Sequence, residues 1–342
     1  MAKPLTITVA GAGALGLATA LALADTGARV TVFDPAGEAQ NASGVAAGML
    51  APAFEAALDP AAAPHFDLLL AARDLWPALE AQLGIVLDRS GAVAVGETAF
   101  LARAHAGLRK AGLHPAELSR GTLESLAPGL DTSWAAGLLT REDWRLEAAE
   151  ALAALRRAAS AAGVEFRDVP AAGFEGADRL VIATGAAHGL AVVAPELAHL
   201  APIKGHILRI ESQAPYEGVV VRGEGAYVTP STGGFTVGAT MQPGVADPQV
   251  VEAEAAPLKA AGAKLFPALA KAPHQAFAGV RAATPDGLPM VGRGRHPGVL
   301  LAVGARRNGW LLAPLVARVI AACVTEGEAG PFAQRLDPAR FG

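Results

Sequence analysis

Thr6-Ile7-Thr8-Val9-Ala10-Gly11-Ala12-Gly13-Ala14-Leu15-Gly16 stands near the start of the chain and decides its fold. The first five residues predict a short strand, the glycine-rich run a tight turn, and Leu17 to Thr26 a helix. Val30-Thr31-Val32-Phe33 predicts a second strand, with Asp34 directly after it. Strand, turn, helix, strand and acid in this spacing make the dinucleotide-binding fingerprint. Gly11 permits the sharp turn, Gly13 lets the backbone approach a pyrophosphate, and Gly16 lets the helix lie close on the strand. Amides at the helix start, those of Ala14 and Leu15, then meet the anion. Asp34 is placed to accept hydrogen bonds from a ribose. Lys3 followed by an apolar stretch superficially resembles an export signal, but glycines spaced for a phosphate and a unit completed by Arg29 to Asp34 argue against one.

At 342 residues the chain exceeds a typical single domain, so two intertwined domains are expected. A net charge of −4 gives no electrostatic case for nucleic acid or a membrane surface as partner. The single cysteine, Cys323, excludes an internal disulfide framework and fits a reducing cytoplasm. No apolar run reaches the ~18 residues of a spanning helix; the nearest, Trp310 to Val324, is broken by Pro314 and Arg318. The eight histidines show no metal-ligand spacing, and no G-x-S-x-G elbow is present, so neither a metal nor a serine nucleophile is expected. The abundant alanine is compositional bias and carries no functional reading.

After Asp34, Asn41 to Pro52 is a loop of small residues that allows close backbone approach to something flat or charged. Helical spacing predicts one helix from Phe66 to Leu83. Gly84-Ile85-Val86-Leu87 and Ala92-Val93-Ala94-Val95, split by Asp88-Arg89-Ser90-Gly91, predict a hairpin. A helix over Thr98 to Ala111 and a strand over Trp134 to Thr140 follow, in what reads as an excursion into a second domain. The chain returns with a helix from Leu146 to Ala162 and strands over Val164 to Arg167 and Ala177 to Gly185. Strands at Ile207 to Ile210, Ala226 to Pro230 and Phe235 to Gly238 predict an antiparallel sheet, and Val250 to Phe266 a helix. Val299 to Val303 predicts a last strand before the terminal helix.

The opening fingerprint together with Ser43-Gly44-Val45-Ala46-Ala47-Gly48-Met49-Leu50-Ala51-Pro52 resembles the D-amino-acid oxidase superfamily of flavoproteins, most closely its glycine oxidases of the thiamine pathway. Further along, Ala183-Thr184-Gly185, Pro202-Ile203-Lys204-Gly205-His206 and Gly238-Ala239-Thr240-Met241 are similar to family motifs, and so are Gly279 to Pro289 and Gly304 to Pro314. Their order and spacing agree together, which is more specific than any one of them. The resemblance implies an α/β protein with a Rossmann-type FAD-binding domain (1–83, 141–199, 286–342) around a mixed or antiparallel-sheet substrate domain (84–140, 200–285).

It also implies roles for single residues. Ser43 would lie near the diphosphate, and Ala46, Ala47, Gly48 and Met49 against the flavin ring. Thr184 and Gly185 would lie near the diphosphate, and the Val169 backbone would touch the adenine. Arg281 would bind the substrate carboxylate, since a planar guanidinium grips a carboxylate with two parallel hydrogen bonds; the Tyr227 hydroxyl would help. Met49 would stand near the reacting ring and Arg307 near the active-site mouth, both in the catalytic set, and Arg281 and Arg307 would also touch the cofactor. Asn308, Gly309, Trp310, Leu311 and Leu312 would bring a helix start to the N1/C2=O side of the ring, with the amides of Gly309, Leu311 and Leu312 on offer.

No cysteine lies near these motifs, so the FAD would be noncovalent. The implied reaction is hydride transfer from the Cα of glycine, sarcosine or a small D-amino acid to the flavin, with O2 as electron acceptor. Two rivals stay open: a dehydrogenase of the same fold feeding a quinone or partner subunit, and a nucleotide-binding subunit or sensor. A homo-oligomer is compatible with the sequence, which does not fix it. Ala282, Ser231, Ala305, Trp310 and His206 depart from the family pattern, so pocket size does not carry over.

Overall fold

A computed structural model describes residues 3–37, 40–212 and 216–342. The first half of the chain runs through β1 (Thr6–Ala10), α1 (Ala14–Asp25), β2 (Arg29–Phe33), α2 (Ala42–Val45), β3 (Met49–Leu50), α3 (Pro52–Leu58), α4 (Phe66–Asp74) and α5 (Trp76–Leu83). Then come β4 (Ala92–Ala94), α6 (Thr98–Lys110), β5 (Ala116–Ser119), α7 (Arg120–Leu126), β6 (Ala136–Thr140), β7 (Trp144–Arg145), α8 (Ala148–Ala161), β8 (Glu165–Arg167) and β9 (Arg179–Ile182). The second half holds β10 (Ala201–Glu211), β11 (Val220–Arg222), β12 (Tyr227–Ser231), β13 (Gly234–Gly238), β14 (Gln242–Pro243), α9 (Glu252–Leu265), β15 (His274–Ala283), β16 (Met290–Arg293), β17 (Val299–Val303) and α10 (Gly309–Thr325).

These strands separate into two main sheets. The first has the order β16-β17-β9-β1-β2-β8, parallel except at the β16 edge. Strands buried on both faces read as near-continuous apolar runs, and Val299–Val303 is buried throughout. One face packs on α1, α8 and α10 through Leu17, Leu21, Leu152, Leu155, Leu311 and Val316. The other packs on the segment after β9 through Leu190, Leu197 and Leu200. The second sheet has the order β14-β10-β13-β12-β11-β4-β6-β5, with β15 antiparallel along β10 from Ala201–Ala283 to Ile210–His274. Only its β4–β11 contact is parallel. A two-stranded ribbon of β3 and β7 lies outside both sheets.

Three expectations are corrected. The helix from Phe66 to Leu83 is two helices, because Pro77 disfavours helical geometry before it and supplies no amide for continuity. Trp76, fully buried at the break, donates its indole N–H to the carbonyls of Trp310 at 3.1 Å and Leu311 at 3.3 Å, fixing the start of α10. The hairpin over 84–95 does not form. Leu87 N–H donates to Glu80 Oε1 at 2.8 Å and Asp88 bridges to Arg145, while β4 pairs with β6 and β11 instead. Thirdly, β5 and α7 occupy 116–126, where no element was expected. Ser119 caps α7 by accepting from Thr122 N–H, and β5 is mostly exposed and lacks an alternating pattern.

Candidate active site

At the fingerprint, a Cβ on Gly16 would lie 1.9 Å from the Gly11 carbonyl oxygen, so α1 can meet the turn only with glycine there. The amides of Ala14, Leu15 and Gly16 open α1 and have no intrahelical partner. Ala14 N–H donates to Ser43 Oγ at 3.0 Å. Ser43 is held by α2, whose cap Asn41 accepts from Ser43 N–H and Gly44 N–H, both at 3.1 Å. Asp34 accepts from Ala12 N–H at 2.5 Å and Ala36 N–H at 2.8 Å, and edges a small recess with Ala12, Asn41 and Arg156. Glycine turn, open helix amides, hydroxyl and acid therefore stand together as a cradle for a nucleotide diphosphate.

From this cradle the chain runs along a cavity of about 480 Å³ between the two sheets. One side is Ala42, Val45, Ala46, Ala47, Gly48 and Met49, with Asn308 and Trp310 beside them. The Trp310 indole donates to the Ser43 carbonyl at 3.0 Å and ties the start of α10 to this loop. The opposite side is the second sheet: Gly205 and Ile207 of β10, Tyr227 of β12, Gly238 of β13, and Gly279 and Arg281 of β15. Helix α3 supplies Glu55 and Leu58, and α6 covers the mouth with Phe100 and Arg103.

Arg281 lies flat across Gly205: a Cβ there would sit 2.1 Å from Nη1 and 2.6 Å from Nη2. Its contacts are long, 3.4 Å from Nη1 to the Thr240 carbonyl and 3.7 Å to Met241 Sδ. Among the described residues no carboxylate pairs with it, although burial depresses its ionisation and so costs the cation its hydration. Burial likewise raises the Tyr227 hydroxyl, with the Arg281 and Arg222 charges pulling the other way, so the phenol stays protonated at neutral pH and can donate.

Beside them sits an ion cluster the sequence did not reveal. Glu55, only 5% exposed, accepts from Arg307 Nε at 3.1 Å, is bonded by Arg307 Nη2, and lies 3.3 Å from Arg222 Nη1. Burial alone would raise the Glu55 carboxyl, but the Arg307 and Arg222 charges outweigh it and hold it below the usual range. Asp59 pairs with Arg307 at 3.1 Å and with Arg306. Asp143 caps α3, accepting from Ala53 N–H at 2.8 Å and Phe54 N–H at 3.2 Å, and burial pushes its carboxyl up to about 6.

The cavity thus gathers Ala46, Ala47, Gly48, Met49, Tyr227, Arg281, Arg307, Asn308 and Trp310 from the expected set. Gly11, Gly13, Ala14, Leu15, Gly16, Asp34 and Ser43 form the cradle. Leu311 and Leu312 are buried in the core, and Leu312 N–H is spent on the Asn308 carbonyl at 2.9 Å. That corrects its expected role as a free amide, leaving Gly309 and Leu311 in the first turn of α10. Thr184 and Gly185 follow β9 beside the Gly11 turn, and Val169 is exposed beyond β8; none of the three lines the cavity. His206 is buried, with Nε2 accepting from Val251 N–H at 3.2 Å and Nδ1 3.1 Å from Thr240 Oγ1. Ala282 and Ala305 are buried, and Ser231 lies on β12 away from this cavity.

The family model described as FAD dependent oxidoreductase (DAO) matches residues 6–323, nearly the whole chain. The chain belongs to this family. Among its relatives, the glycine oxidase of Geobacillus kaustophilus is 30% identical over 356 residues, covering 94% of this chain and 93% of the relative. The bifunctional protein ThiO/ThiG of Trichormus variabilis is 29% identical, and there the match covers 98% of this chain but 55% of the relative. The crystal structure of the Geobacillus kaustophilus glycine oxidase superposes with a TM-score of 0.84 at 26% identity, over 98% of both chains. An iminodiacetate oxidase from Chelativorans shares the fold, with a TM-score of 0.84 at 22% identity over 97% of this chain and 98% of that one. The protein is therefore an FAD-dependent oxidoreductase with a Rossmann-type α/β domain and a separate mixed sheet. Its cradle fits that cofactor: a side chain at Gly13 would place Cβ 3.1 Å from Ser43 Oγ and fill the space over the helix amides.

Proposed function

We propose that this protein oxidises the Cα–N bond of a small amino acid (glycine, sarcosine or a small D-amino acid), with FAD held noncovalently and O2 as final acceptor. The observation that carries this reading is Arg281, a half-buried cation with no carboxylate partner among the described residues, beside the Tyr227 hydroxyl in the cavity that the fingerprint's loop lines. A partly desolvated guanidinium without a carboxylate beside it is costly, and a carboxylate ligand offsets that cost. The names of the glycine oxidase relatives support the same substrate class.

In this mechanism Arg281 takes the carboxylate in a bidentate grip and Tyr227 donates to one of its oxygens. Gly205 lets the guanidinium lie flat, which fixes the carboxylate and the direction of Cα. The amine enters neutral, and no side chain is required as a strong base. Phe100, Leu58, Met49 and Trp310 wall the cavity and limit water. Arg307, anchored by Glu55, lines the same cavity. Bound FAD supplies the acceptor for the hydride leaving Cα.

We assign FAD binding to 1–83, 141–199 and 286–342 and substrate binding to 84–140 and 200–285, which the division of strands between the two sheets supports. No described helix is long and apolar enough to cross a membrane, and a cytoplasmic place beside thiamine synthesis belongs to the same proposal. The test is an anaerobic screen of the FAD-loaded protein against glycine, sarcosine and D-alanine. Bleaching of the flavin by at least one supports the reading, and none by any of them rejects it. Hydrogen peroxide on readmitting air marks an oxidase, and its absence a dehydrogenase.

A further inference from the structure

The charges that face the cavity are unequal in a particular way. Six ionised side chains line it: Glu55, Arg103, Arg222, Glu224, Arg281 and Arg307. Arg103 pairs with Glu224 at 3.3 Å across the mouth. Glu55 answers both Arg222 and Arg307, and Asp59 answers Arg306 and the other side of Arg307. Asp143, close enough to feel the Arg222 charge, supplies the third anion against these three cations above about pH 6. Among the described residues Arg281 alone is left over, so the site has room for one negative charge.

We propose that Glu55 is the residue that restricts the substrate to a single carboxylate and rejects a second acidic group. This rests on the amino-acid reading above, with Arg281 as the carboxylate site. Glu55 acts in two ways. Its ionised oxygens line the cavity and repel an acidic side chain or N-substituent directly. They also occupy Arg307 Nε and Nη2 and Arg222 Nη1, donors that would otherwise hold a second carboxylate. Arg222 already has Nε and Nη2 buried without a hydrogen-bond partner among the described residues, so it carries unspent donors, and Glu55 is the carboxylate in direct contact with it. A neutral isostere at position 55 turns the net charge beside Arg281 from one surplus cation to two. A dianion then becomes the matching ligand.

The probes are propionate and malonate, which differ by exchanging a methyl for a carboxylate. Each is titrated into FAD-loaded protein at pH 8, where malonate is a dianion, following the visible flavin spectrum and the melting temperature. Wild type is expected to bind propionate at least tenfold tighter than malonate, and Glu55→Gln to shift that ratio at least tenfold toward malonate. Equal or tighter malonate binding in wild type overturns the inference, as does no binding of either acid or an unchanged ratio in Glu55→Gln. If Glu55→Gln does not fold, the wild-type ratio decides alone. Failure of the two readings is distinguishable. An inert flavin with the acid preference intact removes the amino-acid reaction and keeps Glu55 as selector. Amino-acid oxidation with equal acid binding removes only the selector.

Discussion

Arg281 and the glycine beneath it make the sharpest residue-scale statement. On the proposed reading, truncating Arg281 to alanine removes the carboxylate grip but touches nothing at the nucleotide cradle. Arg281→Ala should raise KM about a hundredfold or more, the loss of a charged bidentate bond worth roughly 3 kcal/mol, while the purified protein keeps its flavin absorbance. An unchanged KM for the best amino acid would take Arg281 out of the site. Gly205→Ala is the complementary change, since its methyl would occupy the place of the guanidinium. It should raise KM at least tenfold in wild type and do little once Arg281 is already alanine, a non-additivity that a double-mutant cycle measures. Equal cost in both backgrounds would mean that Gly205 serves the β10–β15 pairing alone. Arg281 and Tyr227 were legible because motifs carry them. Glu55 and Arg222 were not: they meet across 167 positions, and an acid in a short helix after Pro52 looks like any surface acid until the fold buries it.

At the scale of elements, α3 hangs on Asp143, which caps it from 90 residues away. The Asp143 carboxyl titrates near 6 in the fold and at its ordinary 3.8 when unfolded, so the folded state binds its proton more tightly. This contribution to stability is complete below pH 4 and is lost as pH rises through 6, a change on the order of 3 kcal/mol. Glu55 and Asp59, held below their usual ranges, act oppositely and lose their contribution as pH falls below about 4. His206, depressed first by burial and then by Lys204, also favours higher pH. Asp143→Asn therefore isolates one group: the stability of wild type relative to this variant should decline between pH 4 and 7 in denaturant melts. A constant difference would show that Asp143 does not titrate in that window. The start of α10 is held in the same long-range manner, by the Trp310 indole on Ser43 and the Trp76 indole on the α10 carbonyls. Trp310→Phe should cost about 1–2 kcal/mol and loosen flavin retention on dilution, measured by fluorescence of released flavin. Retention equal to wild type would remove this tie from cofactor binding. The absent hairpin at 84–95 belongs to this scale too. A turn-like Asp88-Arg89-Ser90-Gly91 between apolar runs reads as local pairing, but Ala92–Ala94 finds its partners in β6 and in β11, the latter more than 120 residues on. Long-range sheet pairing leaves no local trace.

The whole molecule is two sheets meeting at a cavity, with a nucleotide cradle at one end and an unbalanced cation at the other. The parallel strands of the first sheet were readable because each is joined to a glycine turn or a periodic helix, whereas its antiparallel edge strand β16 was not foreseen. The second sheet was read only in part, because its order mixes strands from 92 to 283 and its longest pair, β10 with β15, joins segments far apart in the chain. In the proposed reaction what joins the halves is chemical: the first sheet's loops would hold FAD and the second sheet's arginine a carboxylate. The most direct test mixes FAD-loaded wild type and Arg281→Ala with glycine, sarcosine and D-alanine in the absence of oxygen. The account predicts that wild type bleaches with at least one of them at millimolar concentration, while Arg281→Ala, equally yellow, needs about a hundredfold more. Bleaching at the same concentration in both proteins, or in neither, would contradict it.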